Sequence, residues 1–568
     1  MTAGTERSGT DLTVTTTPAG LSVTSDGAAG PVEKSGTDAQ LITTLRSLRE
    51  LGRFEEAAVL VRAADAQTRP STMSAATHAA AGPALAAVSD YAAAGVHLLM
   101  ASIDPVLAPQ ALGRLAEIAW IEHDHAQAQA YALAGLTLDP SHRLCRIQLR
   151  RNEIATVAER EPPAAPGTTR LAHAAFFADP QGNAGDRVLT DAVRRCFTGG
   201  IETAPEDPEA RPVAWHDVHV HQLFDEPRLA EVNATDGLVL GGGGLFLPDT
   251  APNGHSGWQW NVPDDVLARI DVPLAVFAVG YNLFEGQTFE PDGRFARSLR
   301  TLVERAAFVG LRNHGSVDRV RELLPGHLAE RVGWQPCPTT ITDLLSAPIS
   351  ESAAFPRDHA RMPAVDNPAA GLPGEPGPVL LNCAYDRAGR RFGDGYGAFL
   401  AALRDWVVDT REIADVGYAA HCVDDERFVG DLRREHGLTL PVIPMYDLSP
   451  ARIQAHYRRA RLVVGMRGHA GMIPFGCGTP IISLISHPKL GYFLADIDRP
   501  QWGVSVREPH LAQRLSELTT ELLDSGPEVA ADIRRIRRRL ADVTLQNLRS
   551  LPSSFDPARA IRQDETDE

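Results

Sequence analysis

Four short segments gather the residue types that can move protons or hold anions. In the richest, Leu462-Val463-Val464-Gly465-Met466-Arg467-Gly468-His469-Ala470-Gly471, an apolar run ends at a glycine and a histidine opens the next helical stretch. A histidine at a helix N-terminus has its imidazolium disfavoured by the dipole, which tunes it for proton transfer near neutral pH. The next apolar run, Ile481–Ile485, leads to His487-Pro488-Lys489. Of the 55 lysines and arginines only Lys34 and Lys489 are lysine, so a lysine kept inside a folded segment marks a need for a compact ammonium. In Gly310-Leu311-Arg312-Asn313-His314-Gly315-Ser316, Arg312 can offer a planar fork to a carboxylate or phosphate, Ser316 can cap a helix or add a hydrogen bond, and His314 reads as surface. In Asp236-Gly237-Leu238-Val239-Leu240-Gly241-Gly242-Gly243-Gly244-Leu245-Phe246, a strand runs into four glycines, Gly241, Gly242, Gly243 and Gly244. Their bare backbone N–H groups could face an anion, or they could form a tight strand-to-helix turn. They fit neither a Walker loop nor a dinucleotide fingerprint. In Gly182-Asn183-Ala184-Gly185-Asp186, Gly185 permits a turn and Asp186 can cap a helix starting near Arg187.

Each segment comes directly after a short apolar run, and such runs alternate with helical periodicity, the sign of parallel sheets flanked by helices. Strands are expected at Leu171–Phe177, Val213–Val218, Gly237–Leu240, Leu274–Val279 and Phe308–Leu311. A second set is expected at Val379–Asn382, Ile413–Tyr418, Val442–Met445, Leu462–Gly465 and Ile481–Ile485. They make two Rossmann-like α/β domains, 168–350 and 378–550, facing across a cleft, with ligands beyond the strands' carboxyl ends. The Pro/Gly/Ala-rich stretch 351–377 reads as a linker or insertion, and Glu161–Gly167 as a linker. Pro509–Leu548 reads as one long helix whose basic run, Arg534–Arg539, is a solvated face.

Upstream, residues 38–155 form an all-α domain like tetratricopeptide repeats. Phe54-Glu55-Glu56-Ala57, Tyr91-Ala92-Ala93-Ala94 and His125-Ala126-Gln127-Ala128 recur near the period of about 34 residues, with Asp104-Pro105 answered by Asp139-Pro140. Such a module either binds a protein partner or props and self-associates the rest. Residues 1–37, small and polar, read as a disordered leader, and 551–568 as a disordered tail.

At 568 residues, about three domains are expected. A formal charge of -17 argues against nucleic acid as a broad partner. No apolar stretch is long enough to span a bilayer, and the first thirty residues lack a basic start and an apolar run, so a cytoplasmic location is expected. The six cysteines form no C-x-x-C pair, and neither a metal site nor a disulfide framework is expected.

Taken in order, Asn183-x-Gly185-Asp186, the glycine block, Arg312-x-x-x-Ser316, Arg467-x-His469 and Lys489 resemble the polysaccharide pyruvyl transferase family over roughly Leu171 to Ala512. The resemblance implies a GT-B-like pair of domains and transfer of a pyruvyl group from phosphoenolpyruvate, the donor substrate, to sugar or glycan hydroxyls as a ketal, with no cofactor. It implies an acid/base role for His469, with Arg312 and Lys489 on the donor's phosphate and carboxylate, and it adds Arg467 and Ser316 to the donor side and Asn183, Asp186 and the glycines to loop contacts. The chain departs from the family pattern at Ala470, where glycine is usual after the histidine, and at Asn313, where an acidic residue is usual; these bear on the acceptor. Two other readings stand beside it: a GT-B nucleotide-sugar glycosyltransferase, for which no ribose-gripping glutamate occurs between Ile481 and Leu490, and a non-catalytic adaptor built on the repeats.

Overall fold

The computed structural model describes residues 12–17, 20–25, 32–35, 38–67, 73–158, 168–177, 182–198, 201, 213–283, 287–289, 293–345, 377–386 and 388–555. The expected linker 161–167 and all but the last residue of 351–377 lie outside them. Within the expected disordered leader, β1 (Leu12–Thr17), β2 (Gly20–Ser25) and β3 (Val32–Ser35) pair antiparallel, in the order β1-β2-β3.

Seven helices come next: α1 (Asp38–Glu50), α2 (Phe54–Gln67), α3 (Ala75–Ala86), α4 (Tyr91–Ala101), α5 (Ala108–Ile121), α6 (His125–Leu138) and α7 (Arg143–Ala158). The three repeated sequence segments open α2, α4 and α6, and their fourth residues, Ala57, Ala94 and Ala128, are completely buried, since only a methyl group fits between the helices. Both Asp-Pro pairs fall just past a helix end, where proline lacks the N–H to continue it.

The first α/β lobe carries one parallel sheet of β4 (Thr169–Ala175), β5 (Val213–His219), β6 (Gly237–Phe246), β7 (Leu274–Tyr281), β8 (Phe308–Leu311) and β9 (Val332–Trp334), ordered β5-β4-β6-β7-β8-β9. The second carries β10 (Val379–Asn382), β11 (Val416–Ala420), β12 (Val442–Pro444), β13 (Leu462–Gly465), β14 (Ile481–Ile485) and β15 (Gly503–Ser505), ordered β12-β11-β10-β13-β14-β15 and also parallel. Chain order reverses between β4 and β6 in the first sheet and between β10 and β13 in the second. Such switch points open a crevice at the strands' carboxyl ends.

One apolar core joins the lobes, running from Leu171, Val239 and Phe277 to Val379 and Val464. The expected single terminal helix is two, Leu511–Asp524 and Gly526–Ser550, because Pro527 in the first turn of the second supplies no N–H to continue the first. The second helix returns to the first lobe, where Asn547 donates to the Trp334 carbonyl at 2.9 Å and Gln335 donates to Thr544 at 3.2 Å. Its basic run is not wholly a solvated face: Arg537 is buried, 3.6 Å from Asp343. The expected tail also starts later, since Leu551 and Phe555 are buried and Phe555 packs on Phe197 and Gly237. Among the described residues no helix is long and apolar enough to cross a membrane.

Candidate active site

The two switch points face one another across a cavity of about 420 Å³. From the first lobe, helix α8 (Ala184–Thr198) starts soon after β4 and brings Asp186 into the cavity; Asn183 lines it from the residue before the helix. The capping assignment is corrected here. The helix begins before Arg187, the Asn183 side chain accepts from the Gly185 N–H at 3.0 Å, and Asn183 donates to Asp186 at 2.9 Å, which leaves Asp186 free to face the second lobe. Gly185 serves closeness rather than a turn, because a Cβ there would lie 2.5 Å from the His469 Cβ.

His469 is the second residue of helix Gly468–Gly476, which comes after β13. Its Nδ1 lies 3.8 Å from Asp186 Oδ1 and its Nε2 3.8 Å from the Cys337 sulfur. Burial, helped by the nearby Arg312, His421 and Lys489, holds the His469 pKa well below its ordinary value, so the imidazole is neutral. Burial likewise pushes the Asp186 carboxyl up, against the Asn183 hydrogen bond and the charges of Arg312, Lys489 and Arg467.

Arg312 stands just past β8 and is nearly fully buried. One Nη donates to Asn282 at 2.7 Å, while the Nε has no hydrogen-bond partner among the described residues. Glycine at 280 makes room for it, since a Cβ would come 2.2 Å from that Nε. Burial pulls the Arg312 guanidinium below its ordinary pKa, with Cys337 and Asp186 acting the other way. Lys489, in the first turn of helix Pro488–Asp496 after β14, lines the same cavity.

Three sequence expectations change. Arg467 lines the cavity, but its fork is already taken: it donates to both Asp425 oxygens, at 2.9 and 2.6 Å, and lies 2.7 Å from Asp386. Burial opposes its charge, yet those carboxylates raise its pKa well above the ordinary value, so it holds the loop after β13 rather than a donor anion. Ser316 is fully buried outside the cavity; its hydroxyl accepts from the Tyr281 N–H at 3.0 Å and ties down the end of β7. The glycine block is not a strand-to-helix turn, because β6 continues through it with a register shift. A Cβ at Gly241 would lie 2.0 Å from the Phe277 carbonyl oxygen, and one at Gly242 would meet Leu189 at 2.6 Å, so both are packing glycines. Gly242 and Gly243 border only a small adjoining pocket, while Gly244 lines the main cavity.

Other cavity groups were not singled out from sequence. Asn282 lies just past β7, while Asp386 and Arg391 lie past β10, a position the second switch point makes conspicuous once the strand order is known. Arg391 donates to Ser486 at 2.8 Å and to Asp386 at 3.1 Å. His487 sits beside it, and burial, with Lys489 and Arg391 close, brings its pKa to about 2. The cavity therefore holds four cationic side chains, two carboxylates and two uncharged histidines.

The sequence profile of polysaccharide pyruvyl transferases matches residues 186–488, just over half of the chain. The chain belongs to the polysaccharide pyruvyl transferase family, a family of transferases. The family segment begins at Asp186 and spans the glycine block, Arg312, Arg467 and His469; Asn183 and Lys489 lie just outside its two ends. A comparison with curated proteins found no match. Among solved structures, an O-GlcNAc transferase mutant from Thermobaculum terrenum is 13% identical with a TM-score of 0.35, covering 93% of this chain and 100% of that one. UDP-GlcNAc 2-epimerases from Methanocaldococcus jannaschii and Neisseria meningitidis are 10% and 11% identical, with TM-scores of 0.37 and 0.36. They cover 63% and 67% of this chain and 93% and 100% of their own. At TM-scores below 0.5, none of these bears on what this family member does.

Proposed function

We propose that this family member moves the pyruvyl group of phosphoenolpyruvate onto two hydroxyls of a sugar, forming a cyclic ketal and releasing phosphate. The observation that carries the reading is the meeting of Arg312 and Asp186 from one lobe with His469 and Lys489 from the other around one small cavity. Phosphoenolpyruvate near neutral pH carries about three negative charges, two on phosphate and one on the carboxylate. In this reading Arg312 and Lys489, which line the cavity together with Arg391, face the donor, and fixed positions would spare reorganisation when charge moves to the leaving phosphate.

Atoms and electrons balance over the whole step. The enol carbon C3 takes a proton and becomes a methyl group, C2 forms a bond to each of two hydroxyl oxygens, and the C2–O bond to phosphate breaks with its electron pair leaving on phosphate. The hydroxyls give up two protons, one ending on C3 and one on phosphate. His469, neutral before the donor enters, can take a hydroxyl proton and pass it on, and Asp186 beside Nδ1 is placed to stabilise the imidazolium in between. The donor's negative charge also favours that imidazolium, working against the burial and the neighbouring cations that suppress it in the free protein. The test is mass spectrometry of simple glycosides incubated with the full chain and phosphoenolpyruvate. A pyruvate ketal, a mass gain of pyruvate less water, with one phosphate released per ketal is the expected result. Transfer from a nucleotide sugar with no response to phosphoenolpyruvate would overturn it.

A further inference from the structure

A second cavity, about 590 Å³, lies where the helical region meets the first lobe, and it borders the reaction cleft. Phe176 lines both cavities. The segment after β6 runs along the border: Leu247 and Thr250 face the cleft, while Asp249, Pro252 and Asn253 face the second cavity. Ala251, within this segment, has a φ of 46°, a left-handed backbone that a non-glycine residue holds only when its surroundings enforce it.

The far wall is made by the helical region, chiefly Arg49, Phe54, Tyr91, Arg114, Glu117 and Trp120. That wall is fixed to the lobe. The Gly254 N–H donates to Ser89 at 2.9 Å and a Cβ on Gly254 would meet the Val88 carbonyl at 2.1 Å. Asn261 donates to the Tyr91 hydroxyl at 2.8 Å, the Leu223 N–H to the Ile121 carbonyl at 2.9 Å, and Arg294 pairs with Glu55 at 2.6 Å. Helices docked this closely do not offer the inner surface to a protein partner.

The lining has the chemistry of a polyol site. Three guanidinium groups, from Arg49, Arg114 and Arg151, stand among three carboxylates, from Glu50, Glu117 and Asp249, so the cavity carries no net excess for a polyanion. Guanidinium and carboxylate are the paired donors and acceptors that hold vicinal hydroxyls. One such pair stands on the wall itself, where Arg114 donates to Glu117 at 2.5 Å. The volume lies within the range of about 300–1,000 Å³ usual for small-molecule sites.

We infer that this second cavity is the acceptor subsite, binding the uncharged sugar next to the one that receives the pyruvyl group, with the helical region as its wall. The inference rests on the pyruvyl-transfer reading for what the bound sugar is used for, though not for the binding itself. The experiment is saturation-transfer NMR of the full chain, without phosphoenolpyruvate, against methyl glycosides of glucose, galactose and mannose and the disaccharides lactose, cellobiose and maltose. Wild type should transfer signal to at least one of them, more strongly to a disaccharide, and Arg114→Met and Arg49→Met should each weaken its affinity about tenfold or more while keeping a wild-type thermal transition. Should either variant fail to fold, Glu117→Gln takes its place. No transfer to any sugar in wild type, or affinity unchanged in the variants, overturns the subsite. Sugar binding that responds to these variants, in a protein that makes no ketal from phosphoenolpyruvate, would sink the transfer reading and leave the subsite standing.

Discussion

Replacing Gly185 with alanine tests whether the two lobes meet as described. The new Cβ would lie 2.5 Å from the His469 Cβ and 2.6 Å from its Nδ1. Non-bonded carbons rest at about 3.5–4.0 Å, so roughly 1 Å of separation must be found between α8 and the helix that starts at Gly468. Neither element has slack. The Ala184 N–H donates to the His421 carbonyl at 2.9 Å, and a Cβ on Gly476 would lie 2.0 Å from the Thr339 carbonyl oxygen. Overpacking of this kind costs about 1–3 kcal/mol. A displacement of about 1 Å at a proton-transferring group costs on the order of 100-fold in turnover. Gly430 is the control: it lies in helix Glu426–His436, and an added Cβ there meets nothing within 4 Å, so alanine should be neutral or stabilising by up to about 1 kcal/mol. Stability is read from the urea midpoint and turnover from phosphate released from phosphoenolpyruvate with glycosides present. A Gly185→Ala protein with wild-type midpoint and turnover would refute the close approach of α8 to His469.

Phosphoenolpyruvate at 100 times its Kd should stabilise the protein by about 2.7 kcal/mol, seen as a rise in Tm, and Lys489→Ala should abolish the rise; an undiminished rise removes Lys489 from the donor site. Arg467→Met, by stranding the buried Asp425 carboxylate, should cost about 3–5 kcal/mol in a urea titration; unchanged stability with loss of donor binding alone would return Arg467 to the donor side. Burial, with nearby cations, holds His173 and His421 to about 3 and His487 to about 2, so the folded state refuses protons that the unfolded chain accepts below about pH 6.5. Their contribution is therefore complete above that pH and is lost as pH falls toward 3, each adding about 1.4 kcal/mol per pH unit, partly opposed by the raised Asp186 carboxyl; urea midpoints that stay flat from pH 7 to 5 would contradict this. Because His469 is neutral in the free protein, donor binding near pH 7 should take up protons, measured by calorimetry in buffers of different ionisation enthalpy, and His469→Gln should reduce that uptake; equal uptake in the variant would exclude His469 as the group responsible.

The sequence was most legible where a strand is buried on both faces. Phe308–Leu311, Val379–Asn382, Leu462–Gly465 and Ile481–Ile485 stand as short apolar runs and appear with those bounds. The edge strands Val332–Trp334 and Gly503–Ser505, three residues each and partly exposed, carry no such run. The cavity's His469, Arg312, Lys489, Asn183 and Asp186 were legible because each lies close beyond a strand's end. What could not be read was the reason for a residue type when its partner lies far along the chain. Arg467 looked like a free cation because Asp425 and Asp386 sit in other loops, and Gly241 looked like an anion cradle because the Phe277 backbone that crowds it belongs to the next strand. Arg391 went unnoticed among so many arginines; only the strand order places it at the second switch point.

The packing of the lobes and the charge state of the cavity are two sides of one arrangement. A shared apolar core from Leu171 to Val464 and the terminal helix spanning both lobes hold the halves together, so the cavity cannot relieve its electrostatics by opening wide. Its polar groups are instead held in a small buried space, where burial first and neighbouring cations second strip His469 and His487 of their protons, and burial alone pulls Arg312 below its ordinary pKa. A ligand with about three negative charges works against each of these shifts, because its charge favours the protonated form of every group beside it. A neutral ligand of the same size gains none of that. Under the proposed transfer, the small, highly charged donor is therefore favoured in the cleft itself, and the residue most changed by its arrival is His469.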